Sequence, residues 1–135
     1  MRVVLDTNVL VSALINPYGT PASVLSLVLD ARITVCYDSR IFIEYSEVLN
    51  RSKFGFDKSE IRAVQDMVRE NGFSVVAVKT EQRSSDPYDL PFLEVAAAAQ
   101  ADFLITGNSS HFPSKIGKTK VVTPAAFINA FFSKK

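Results

Sequence analysis

Four acidic side chains stand where carboxylate chemistry would be most useful: Asp6, Glu44, Asp86 and Asp89. Asp6 directly follows the apolar run Arg2-Val3-Val4-Leu5, where a carboxylate either accepts from amides of the next turn or faces a ligand. Glu44 and Glu47 lie three residues apart in Ser39–Asn50, on nearly the same face of a helix. Glu47 has Arg51 four residues on, the favourable order for an ion pair, so Glu44 is the better candidate for chemistry. Asp86-Pro87-Tyr88-Asp89-Leu90-Pro91 offers two carboxylates to one helix start; either caps it, and the other is left over. With His111 the sole histidine and Cys36 the sole cysteine, multi-histidine and four-thiolate sites are excluded. Oxygen donors alone suit Mg²⁺ or Mn²⁺. Carboxylates at close quarters stay ionised only beside a cation, which would activate water and offset phosphate charge. Gathered together, these acids would form a phosphoryl-transfer site.

The elements that must gather them are legible in part. Arg2–Leu5 and Asp102–Thr106 are nearly unbroken apolar runs, as in strands buried on both faces of a parallel sheet. Ile33–Tyr37, Ser74–Val78 and Lys120–Val122 are weaker strand candidates. Helical spacing marks Pro21–Leu29, Ser39–Asn50, Lys58–Glu70, Tyr88–Gln100 and Pro124–Phe132, with Asn71-Gly72 expected as a left-handed stop. The alternation predicts an α/β three-layer sandwich with a mainly parallel central sheet flanked by helices. Ligands of such sheets collect beyond the carboxyl ends of the strands. That rule points to Asp6-Thr7-Asn8, Tyr37-Asp38-Ser39 and Thr106-Gly107-Asn108. Neither GxGxxG nor GxxxxGK[ST] occurs, which argues against the usual nucleotide-cofactor modes.

At 135 residues, 47% hydrophobic and 21% charged, the chain reads as one globular domain over 1–135. No apolar run approaches the ~20 residues that span a bilayer. A charge at Asp6 interrupts the start, where a secretory signal would be apolar, so a cytoplasmic protein is expected. The net charge of +1 conceals an asymmetry. Residues 1–102 carry fourteen acids against ten bases, a net −4, whereas residues 103–135 carry five lysines and no acid. Near-neutrality argues against a general nucleic-acid coat and leaves local phosphate contacts open.

Four blocks in order resemble the successive motifs of PIN domains: Val3-Val4-Leu5-Asp6-Thr7-Asn8-Val9-Leu10, the stretch from Ile43 to Arg51 around Glu44, Asp86-Pro87-Tyr88-Asp89, and Ala101 to Asn108. More narrowly, the chain resembles the toxins of type II toxin–antitoxin systems related to VapC. The resemblance implies a Mg²⁺- or Mn²⁺-dependent endoribonuclease cutting single-stranded RNA, a cognate antitoxin and a homodimer. Carried over by position, it makes Asp6, Glu44 and Asp89 catalytic and metal-coordinating residues, with Asp86 an additional acid. The fourth position falls at Asn108, where many PIN domains have aspartate; an amide oxygen carries no charge, so a second metal would bind more weakly. Asn8 and Thr106 occupy small polar positions, and Arg51 and His111 are candidate substrate contacts. Two other readings compete. One is a catalytically weak PIN-like module that binds an antitoxin or RNA, favoured by Asn108. The other is a Mg²⁺-dependent phosphatase with Asp6 as nucleophile, disfavoured because Asn8 stands where that chemistry wants a second aspartate.

Overall fold

The computed structural model describes residues 1–76 and 87–133. Strand β1 (Arg2–Leu5) runs at the centre of the sheet, parallel to β2 (Thr34–Tyr37) on one side and to β4 (Phe103–Ile105) on the other. Beyond β2 lies β3 (Phe73–Ser74), and beyond β4 lies β6 (Thr119–Val122), both parallel to their neighbours. A short antiparallel strand, β5 (Lys115–Ile116), closes the edge, so the order among the described residues is β3-β2-β1-β4-β6-β5. Val3, Val4, Leu5, Leu104 and Ile105 are wholly buried, which explains why their segments show no alternation.

From β1 the chain steps outward to β2 through α1 (Thr7–Ile15) and α2 (Thr20–Leu29), then to β3 through α3 (Ser39–Leu49) and α4 (Lys58–Asn71). It then returns past β1 to β4 through α5 (Leu90–Ala99). Right-handed crossovers in opposite directions put α5 on the opposite face of the sheet from the first four helices. There α5 packs on β1 and β2, while α6 (Pro124–Ser133) returns to pack on α2. The expected three-layer α/β sandwich is the observed one. Its strand order reverses between β1 and β4, the point where open parallel sheets bind ligands.

Several local expectations are corrected. Thr7–Ile15, which the sequence pattern assigns to no element, is a helix: Val9, Leu10, Val11 and Ala13 are buried along it. Its polar start hides it because those side chains serve other partners. Gly72 ends α4 with φ −76° and ψ 169°, extended rather than left-handed. Glycine stands there because a Cβ would meet Val68 O at 2.2 Å, Tyr37 Cε1 at 2.8 Å and Val35 O at 2.9 Å. The third strand is Phe73–Ser74 rather than Ser74–Val78, whose last two residues lie outside the described ones. The strand expected at Lys120–Val122 is β6, whereas its hairpin partner β5 is new; the hairpin turns at Gly117, whose φ of +57° suits glycine. In α6, Phe127 is fully buried edge-on against Phe103, 5.3 Å between centroids, and so belongs to the core.

Candidate active site

The first carboxylate is placed by the junction of β1 and α1. Asp6 occupies the N-cap of α1, yet its side chain makes no capping hydrogen bond. Its backbone N–H continues the sheet by donating to Ile105 O at 3.0 Å. Its Oδ2 instead accepts from Thr106 Oγ1 at 2.7 Å, a contact across the β1–β4 reversal. Thr106 Oγ1 also accepts from the Asn108 N–H at 3.0 Å, so the hydroxyl links two neighbouring segments of the site. Asp6 is only 6% exposed, and Thr106 is wholly buried. Turn capping therefore does not account for Asp6.

The second carboxylate comes from α3. That helix begins at the N-cap Asp38, whose side chain accepts from the Ile41 N–H at 3.1 Å. Buried Ile41, Tyr45 and Leu49 face the core, and the Tyr45 hydroxyl donates to the Leu5 carbonyl, tying α3 to the end of β1. Glu44, beside that tie, accepts a short hydrogen bond from the Thr7 hydroxyl. Burial raises the Glu44 pKa, the Thr7 hydrogen bond opposes the rise, and the charges of Asp6 and Asp89 reinforce it. Arg51 pulls it back down. Glu44 thus feels the charges of both Asp6 and Asp89.

Asp89 ends a short 3₁₀ helix, Pro87–Asp89, and occupies the N-cap of α5 without a side-chain capping bond. Pro91 follows in the first turn of α5. Asp86 lies outside the described residues. A cleft of about 510 Å³ brings Asp6, Glu44 and Asp89 together with Thr7, Asn8, Glu47, Arg51, Asn108 and His111. Tyr88 and the buried ring of Phe92 complete much of the lining. Among the described residues, no three acidic, imidazole or thiol groups are drawn into a ready-made cation site. The donors in the cleft are nevertheless the hard oxygens that Mg²⁺ and Mn²⁺ prefer.

One site expectation changes. Glu47 and Arg51 both line the cleft, but their expected ion pair is absent from the ion pairs among the described residues. Asn108 lines the cleft and precedes the 3₁₀ helix Ser109–His111 without capping it through its side chain. Sequence reasoning also missed Thr7 as the partner of Glu44. Its only signal was a hydroxyl next to Asp6, because its partner lies 37 residues away. A second acidic group, Asp38 and Glu94 bridged by Arg40 at 2.8 Å to each, was likewise unforeseen.

The PIN domain family profile matches residues 2–110, a span that includes every cleft position named above except His111. The chain belongs to the PIN domain family. An uncharacterised protein of Methanocaldococcus jannaschii, MJ1680, is 30% identical over 97% of this chain and 92% of its own length. The fold is also that of a chain from the Rickettsia felis VapBC2 structure, bound to a DNA fragment from their promoter. That likeness has a TM-score of 0.56 and 17% identity, covering 91% of this chain and 98% of that one.

Proposed function

We propose that this PIN domain is a divalent-cation-dependent endoribonuclease acting on single-stranded RNA, and the toxin of a toxin–antitoxin pair. One observation carries the reading: Asp6, Glu44 and Asp89, from three separate parts of the fold, line one cleft at the strand-order reversal. Four carboxylates against one arginine would repel a phosphodiester, whereas a cation among them would attract it. Asp6, Glu44 and Asp89 would hold Mg²⁺ or Mn²⁺, which when bound activates water and offsets charge on the phosphate.

The chain's own residues supply the rest. Thr106 orients the Asp6 carboxylate, and Thr7 orients that of Glu44. These hydroxyls fix which oxygens face the cleft, as outer partners of metal ligands commonly do. Arg51 offers a charged donor to a non-bridging phosphate oxygen, and His111, Asn8 and Asn108 offer further polar groups along the same wall. Family membership and the fold shared with VapBC2 support an antitoxin as partner, and the resemblance supports a homodimer. The test is cleavage of a single-stranded oligoribonucleotide by the purified chain. Cleavage is expected with Mn²⁺ or Mg²⁺, abolished by EDTA and largely lost in Asp6→Asn and Asp89→Asn. Chelator-insensitive cleavage, or equal cleavage by those variants, would refute the proposal.

A further inference from the structure

Tyr88 shares the cleft with the carboxylates and is 77% exposed. It stands in the 3₁₀ helix immediately before Asp89, and Pro87 and Pro91 stiffen the backbone on either side. Phe92, four residues on, is 2% exposed and serves as the buried ring of the same cleft. The two rings divide the work of packing and presenting. A large exposed aromatic beside a phosphodiester site matches the chemistry of an unpaired nucleobase, whose flat face stacks on tyrosine whatever the base. Bases within a duplex have both faces covered by their neighbours and offer no such surface.

We propose that Tyr88 is a substrate-binding residue, stacking on an unpaired base next to the scissile phosphate and so selecting single strands over duplexes. This inference rests on the ribonuclease reading above. Carboxylates and a cation grip the phosphate, which single and double strands share; the ring reads what only the single strand exposes. Stacking away from the reacting atoms supports substrate and transition state alike, and its loss shows mainly in KM.

Steady-state cleavage of a mixed-sequence single-stranded oligoribonucleotide in Mn²⁺, with a duplex of the same sequence alongside, tests the inference. Tyr88→Ala is expected to raise KM about 5- to 150-fold, far more than it lowers kcat. Tyr88→Phe, which keeps the ring, recovers the loss, and residual duplex cleavage does not respond to either substitution. The Mn²⁺ concentration for half-maximal cleavage stays the same in Tyr88→Ala. An unchanged KM, a loss that Tyr88→Phe fails to recover, or a shifted Mn²⁺ requirement would overturn the stacking role; the last would make Tyr88 a support for Asp89. Absence of RNA cleavage by the unsubstituted chain would instead overturn the ribonuclease reading, and this inference with it.

Discussion

Glu44 carries an unfavourable charge that the fold tolerates: burial and the nearby Asp6 and Asp89 favour its protonated form, against the Thr7 hydrogen bond and Arg51. A folded-state pKa above the ordinary 4.5 stabilises the protein fully below that value. The contribution is lost as pH rises through the folded-state pKa. In the cation-free protein, Glu44→Gln is therefore expected to raise the melting temperature at pH 7 and leave it unchanged near pH 3. The same substitution removes most cleavage, whereas Glu47→Gln on the exposed flank has little effect. Paired melts and cleavage assays check both statements, and equal losses from the two glutamates would show that the wrong member was assigned. Thr106 gives a second test. Thr106→Val keeps the shape but deletes the donor to Asp6 Oδ2, and is expected to weaken Mn²⁺ binding about 10- to 100-fold by titration calorimetry. At this scale the meeting of Asp6, Glu44 and Asp89 in one cleft was legible, because their types and local settings already restrict where they can stand. Thr7 and Tyr45 were not, since their partners are fixed by contacts 37 and 40 residues away.

At the scale of elements, the apolar runs identified β1 and β4, and helical spacing identified the helices from α2 onward. The helix at Thr7–Ile15 escaped because its first turn spends its polar side chains on the site: Asp6 leaves the cap unmade and Thr7 turns to Glu44. Local propensity cannot show that diversion. Gly72 is similar in kind, since its extended angles suit any residue and the requirement comes from the Val68 carbonyl one turn back in α4 and from Val35 and Tyr37 of β2. Two of the three atoms that a Cβ would meet are backbone oxygens, which cannot swing aside. Gly72→Ala is therefore expected to destabilise the protein by about 1–3 kcal/mol in urea titration while leaving cation binding per folded molecule intact.

Across the whole molecule, the sheet buries Cys36 completely and pushes its thiol pKa up to about 11, chiefly through desolvation. Arg2 and the N-terminus partly oppose this, and Asp102 adds to it. The thiol contributes its full stability below its ordinary value of 9.0 and loses it as pH rises through 11. Alkylation at pH 8 is accordingly expected to follow global unfolding, with native protein protected and urea-unfolded protein labelled at once. Rapid labelling of the native protein would place Cys36 outside the core. In the cleft, α1, α3, α5 and the end of β4 must be brought into register for one cation to meet three carboxylates. Crystals grown with Mn²⁺ and measured at its absorption edge test that directly. An anomalous peak is expected within about 2.0–2.5 Å of oxygens from Asp6 and Asp89, with Glu44 beside it. Saturating Mn²⁺ with no peak in the cleft, or Asp6 and Asp89 carboxylates more than about 10 Å apart, would contradict it, because no single ion reaches that far.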